Sequence, residues 1–252
     1  MNYRKKDLMK FIRNFPVLKF SVKFPFHVFH PKKRSLSNKI KNIMNIQKNI
    51  DQSVNIMRTL YDLKGYVFVE DLIYYPNIMA VRSVNLDSNE FNDFGVCAYK
   101  NIYKEWCINY FEMTTDPGIY YRRNTLNIDG TGILAPQQII KGYRIGKHRG
   151  KLALVQNKPF LVYRDNNKDD KLDLGNVTWA DIDCGFNFHR ATDSSINFSQ
   201  YIGKSSAGCQ VVMNISKFQL IMDICLLAKK YNGISAFNYV LVEEKAFNDV
   251  QY

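Results

Sequence analysis

Two hydrophobic periods divide the chain. Between Leu36 and Tyr61 the apolar residues Leu36, Ile40, Ile43, Ile50, Val54, Met57 and Tyr61 recur in steps of three, four and seven, with Gln47 at the skipped position. That is the repeat of a helix with one apolar stripe. Ser35 or Ser37 can cap its start, and Gly65 after Lys64 can end it, so a helix is predicted over 35–64. Packing on the domain that follows is the simpler use of the stripe; a short coiled coil in an oligomer is the alternative.

From residue 66 the period shortens. The runs "YVFVEDLIYY", "NIMAVRSV", "FGVCAYK", "WCINYFEMT", "QIIKGYRIG", "KLALVQ", "PFLVYRD", "FNFHRA", "CQVVM" and "FNYVLVE" are short, rich in β-branched and aromatic residues, and parted by turn signals such as "DPG", "IDGTG" and "DNNKDDKLD". One further helix is predicted in "ISKFQLIMDICLLAKKY", capped by Asn214 or Ser216 and closed by Gly233. The fold class is therefore mainly β, a sandwich or barrel with one or two packed helices over 65–252, preceded by the 35–64 helix and an arm over 1–34.

Charge alters this picture only at the N-terminal end. The chain has 252 residues and a formal net charge of +12; residues 1–64 hold 15 Lys and Arg against 3 Asp and Glu, and the remaining 188 residues are balanced. The basic character thus belongs to the arm, where Phe11, Phe15, Phe20, Phe24, Phe26 and Phe29 alternate with lysines and arginines. Such an arm suits an anionic surface or a neighbouring subunit equally. A nucleic-acid-binding protein would rest on the arm alone, and the neutral domain argues against it. Lys19, Lys23, Pro16 and Pro25 interrupt the apolar stretch, so the start does not read as an export signal, and no transmembrane span is expected. The five cysteines are scattered without a C-x-x-C pair, which fits synthesis in a reducing cytosol.

Candidate chemistry lies in "HRATDSSINFSQYIGKSSAGCQVV". A thiol becomes a nucleophile with a base nearby, and His189 stands twenty residues before Cys209. In "GFNFHRA" strict alternation puts Asn187 and His189 on one face and Phe186, Phe188 and Arg190 on the other. Ser206, Ala207 and Gly208 form a small-residue turn into the next strand, and the N–H groups of Gly208 and Cys209 are candidates for an oxyanion hole.

These residues resemble the signature of the L,D-transpeptidase (YkuD-type) family, and a phage- and prophage-associated branch of it in particular. The likeness is carried by "TTDPGIYY", "GTGILAPQQ", "Y-x-I-G-K-H-R-G", "VYRDNNKD", "N-x-HRA" and "SAGCQV" in that order, across roughly residues 66–244. The resemblance implies Cys209 as nucleophile, His189 as base, Gly208 shaping the turn and Ser206 at the family's Ser/Thr position. It implies a YkuD-type β fold, peptidoglycan stem peptides as substrate and no required cofactor. Action at the bacterial cell wall follows from it, in a virion or from a prophage, with hydrolysis or transpeptidation as the outcome. Ala207 stands where the family has a second histidine and Arg190 where it has a glycine, which places both, with His148, among candidate substrate-binding residues.

Two readings compete elsewhere. Asp165, Asn167, Asp169 and Asp173 in "RDNNKDDKLD" are spaced like the start of a calcium loop, so a structural calcium ion is the candidate ligand. Against it, Asp170 occupies the position of the usual bend glycine and no closing glutamate follows, as in a solvated acidic hairpin. For the whole chain, the rival to an enzyme is a non-catalytic virion or wall-binding protein that keeps the fold.

Overall fold

A computed structural model describes residues 36–86, 89–192 and 199–250, with the backbone alone for 36–47. The arm over 1–34 lies outside the described residues. A compact unit runs from Ile50 to Val250. Its frame is a closed eight-stranded barrel accompanied by a three-stranded sheet.

In chain order the elements are helix α1 (Leu36–Lys64), strands β1 (Asn77–Arg82), β2 (Asp93–Lys100) and β3 (Trp106–Thr114), helix α2 (Ile119–Arg123), and strands β4 (Thr131–Leu134), β5 (Gln137–His148), β6 (Lys151–Gln156), β7 (Phe160–Asp165), β8 (Val177–Ala180), β9 (Phe188–Arg190) and β10 (Gln210–Val212). Helix α3 (Ile215–Asn232) and strand β11 (Ala236–Glu243) complete the set. The barrel order is β1-β11-β5-β6-β9-β10-β3-β2, and β4-β7-β8 form the separate sheet. Most neighbours are antiparallel; β1 with β11 and β9 with β10 are parallel.

Helix α1 spans the predicted range. In its last turns Val54, Met57, Leu60 and Tyr61 are buried, so this half of the stripe packs within the Ile50–Val250 unit. Helix α3 follows its predicted caps. The Asn214 side chain accepts from the backbone N–H groups of Ser216 and Lys217, and Gly233 closes the helix at φ +69° with its N–H on the Lys229 carbonyl. Its buried face, Phe218, Ile221, Met222, Cys225 and Ala228, enters the same core as Phe188, Tyr143, Phe237 and Tyr239. Each such large side chain contributes about 1.5–3 kcal/mol by leaving water.

The expected strand "YVFVEDLIYY" does not form, because side-chain amides take the place of a partner strand. Gln138 accepts from the Val67 N–H and donates to its carbonyl. Asn77 does the same for Val69, both bonds within 2.9 Å. The segment bends at 71–72 and turns at Tyr74 (φ +56°) without joining the ladder, apart from an isolated bridge of Ile73 with Lys100.

Candidate active site

Parallel pairing of β9 and β10 builds the site. Gln210 pairs with Phe188 and Val211 with His189, and the Gln210 N–H donates to the Asn187 carbonyl at 2.9 Å. Cys209, immediately before β10, is thereby level with Asn187 and on the same side as His189, a diagonal neighbour across the strand pair. Phe188, on the opposite side, is in the core.

The turn that presents Cys209 is held from within. The Ser206 hydroxyl donates to the Cys209 carbonyl at 2.8 Å and accepts the Gly208 N–H at 3.1 Å. Gly208 has φ +122°, and a Cβ there would lie 2.6 Å from the Gly132 carbonyl oxygen and 2.7 Å from the Phe186 ring. Only glycine fits this position. The Gly208 N–H is spent on Ser206 and cannot serve the oxyanion hole expected of it. The Cys209 N–H, in contrast, donates to no acceptor among the described residues. Ala207 is partly exposed between them.

A buried polar network supports the turn from behind. Gln210, fully buried, donates to the Thr115 carbonyl at 3.3 Å and accepts from the Tyr239 hydroxyl at 2.7 Å. Asp93 accepts the Thr115 N–H and hydroxyl and the Ser83 N–H. Arg82 pairs with Asp116 at 2.8 Å and donates to the Leu134 carbonyl. Burial and the neighbouring Asp116 carboxylate push Asp93 up to about 7, against its hydrogen bonds and Arg82.

The imidazole is held as a neutral acceptor. His189 Nδ1 lies 2.8 Å from the Arg190 carbonyl, which can only accept, so Nδ1 carries the proton. Nε2 then has the lone pair, and it is buried with no hydrogen-bond partner among the described residues. Burial is the main reason His189 drops to about 4; His148, Arg149 and Arg190 act the same way, and only the Arg190 carbonyl opposes them.

The partly exposed Cys209 thiol donates to the Gly185 carbonyl at 3.4 Å. Burial pushes it up to about 11, opposed by the Asn187 N–H and the Arg149 charge. Burial thus holds both the thiol and the imidazole towards their neutral forms.

His148, expected to bind substrate, is a wall of the site. Its ring stacks on His189 with centroids 4.4 Å apart and 13° between planes. The Asn187 amide donates to its Nδ1 at 3.0 Å, and burial and Arg149 lower its pKa. Arg190, assigned to substrate binding in the sequence, turns the other way. Its guanidinium lies over Phe218 and donates to the Leu152 carbonyl at 3.4 Å; what it gives the site is its own carbonyl. The alternation of "FNFHRA" already placed Arg190 opposite His189, and that signal outweighs the substitution pattern.

The acidic loop already contains a cation. Arg122, fully buried on α2, pairs with the buried Asp165 carboxylate at 3.2 Å, lies 3.7 Å from Asp169 and donates to the Asp170 carbonyl at 2.8 Å. Asp173 gives Asp165 its backbone N–H, and Asn167 forms a local turn with Asp169. Two of the four expected calcium ligands, Asp165 and Asp169, thus lie against a guanidinium, and no cluster of three or more His, Cys, Asp or Glu suited to a metal occurs among the described residues.

Two grooves flank the turn. One of about 340 Å³ is lined by Arg144, Lys147, Asp183 and Asn187 among others, and so opens next to the site. The other, about 610 Å³, is walled by Tyr120, Tyr121, Leu126 and Lys204. It joins the Ser206–Cys209 turn through the Gly118 N–H on the Ser206 carbonyl at 3.0 Å. Asn187, Gln210 and Arg149 are functional candidates that motif reasoning passed over; only Asn187 left a trace, by sharing the face of His189. No helix among the described residues is long and apolar enough to cross a membrane. Compared with protein-family models, with curated proteins and with solved structures, the chain has no match.

Proposed function

We propose that the chain is a cysteine-dependent acyl-transferase or peptidase of the L,D-transpeptidase (YkuD) type, acting on peptidoglycan stem peptides. One observation carries this reading: His189 has its tautomer set by the Arg190 carbonyl, and its free Nε2 stands on the same side of the β9–β10 pair as the Cys209 thiol.

In this reading Nε2 takes the thiol proton as sulfur attacks a stem-peptide carbonyl, forming the S–C bond. The Cys209 N–H stabilises the oxyanion. The tetrahedral adduct collapses by breaking the C–N bond, and the departing amine takes the proton back from the imidazolium, leaving a thioester. Water then gives hydrolysis, and an amine gives a cross-link. The groove beside Asn187 would hold the stem peptide. Such thiol chemistry requires no cofactor, and Arg122 supplies the acidic loop with the positive charge that a calcium ion would bring. Action at the cell wall, from a virion or a prophage, follows from the substrate class, with the basic arm on an anionic surface or another subunit.

The test is incubation of purified sacculi with the full chain and with Cys209→Ala, followed by mass spectrometry of the muropeptides. New cleaved or cross-linked species with the native chain, absent with the variant, are expected. Identical products from both would sink the assignment. The protonated, carbonyl-bound thiol favours a second reading, a wall-binding protein that keeps the fold without turnover. In that case sacculi retain both chains equally and no muropeptide changes.

A further inference from the structure

The β5–β6 hairpin ends in the two-residue turn Arg149–Gly150, with φ +50° and +77° and His148 paired with Lys151. This is the I′ geometry whose twist matches the strands it joins, so the tip is rigid. Its position is fixed a second time, since His148 stacks on His189 at 4.4 Å and is bound by Asn187. Arg149 follows immediately. It is exposed, and among the described residues it has no hydrogen-bond or ion-pair partner. Arg82 is engaged with Asp116, Arg122 with Asp165, and Arg190 lies over Phe218, while Arg144 and Lys147 line the neighbouring groove.

We infer that Arg149 forms an anion subsite beside Cys209, one that takes a carboxylate carried by the acyl donor close to the attacked carbonyl. A guanidinium on a rigid turn presents two parallel donors, which match a carboxylate better than a flexible ammonium would. Arg149 adjoins His148, whose ring stacks on His189, so a carboxylate bound to it is held next to the His148–His189 stack. Of the other charged or titratable groups around the site, His148 stacks on His189, Arg190 directs its guanidinium to Phe218, and Asp183 lines the groove beside Asn187 with Arg144 and Lys147. The subsite deepens the proposed function by naming a feature of its substrate, and its peptide role rests on that reading.

The test uses two alkylating probes of one shape, anionic iodoacetate and neutral iodoacetamide, on the full chain, with peptide-resolved mass spectrometry. The exposed Cys184 serves as internal reference. In Arg149→Gln the iodoacetate-to-iodoacetamide rate ratio at Cys209 should fall about three- to tenfold, while Arg149→Lys retains most of it and Cys184 is unmoved. Salt at about 0.5 M should lower the native ratio towards that of the Gln variant. An unchanged ratio in Arg149→Gln overturns the subsite whether or not stem peptides are processed. A shifted ratio in a chain that neither cleaves nor cross-links stem peptides upholds the anion subsite and removes the wall-acting reading instead. If both hold, Arg149→Gln raises KM for stem peptides with a free carboxylate and leaves their amidated counterparts unaffected.

Discussion

Acid should weaken the native chain specifically through His189. Burial and three neighbouring cationic or ionisable groups lower this imidazole from 6.5 to about 4. Below pH 6.5 an unfolded chain binds a proton there and the native chain does not, so this residue's contribution to stability falls as the pH drops towards 4. A shift of that size corresponds to about 3 kcal/mol. Above pH 6.5 neither state is protonated and the effect vanishes. Asp93 acts in the opposite direction. Its carboxyl is raised from 3.8 to about 7, so the native chain keeps a proton that the unfolded chain loses, and stability from Asp93 grows as the pH falls through the same window. The wild-type curve alone therefore mixes two opposed slopes. Comparison with His189→Gln separates them, because glutamine can donate to the Arg190 carbonyl without titrating. Urea unfolding at several pH values from about 7.5 to 4 should show the variant gaining on the native chain by about 3 kcal/mol. The His189 ring proton followed by NMR should titrate near the lower value. A stability difference independent of pH, or a ring midpoint near 6.5, would refute the neutral, buried acceptor on which the proposed mechanism depends.

Gly208→Ala should cost about 2–4 kcal/mol in urea unfolding and slow Cys209 alkylation, since its Cβ meets Gly132 and Phe186 at forbidden distances. Gly150→Ala, with open space around it, should cost less; equal losses would argue against a tight turn. Arg82→Met leaves Asp116 and Asp93 buried without their cation and should destabilise by about 3–5 kcal/mol, partly recovered by adding Asp116→Asn. Millimolar calcium should leave the native Tm where it is, because Arg122 already neutralises the loop; a saturable rise in Tm would show a site that this arrangement does not explain.

Much of this molecule could be read before any coordinates. The period of α1, the caps of α3 and most of the β runs rest on local physics: side-chain spacing, amide capping and the freedom of glycine at Gly233. The alternation in "FNFHRA" placed His189 and Asn187 together and Arg190 apart, and the structure keeps that arrangement. Residues 66–75 mark where local reasoning stops: their β pattern predicted a strand that does not form, because hydrogen bonds of Val67 and Val69 went to Gln138 and Asn77.

The sequence by itself determined most of the secondary structure, the glycine before Cys209 and the shared face of Asn187 and His189. These depend on neighbours along the chain. Only the tertiary structure decided which groups surround His189 and Cys209. It brought His148 onto His189 from another hairpin, committed the Gly208 N–H to Ser206, left the Cys209 N–H open, and put Arg122 where calcium was expected. The His148–His189 stack and the Arg122–Asp165 pair join residues far apart in the chain, and burial then lowers both imidazoles. No spacing along the sequence encodes how deeply a side chain is buried or which cation lies beside it.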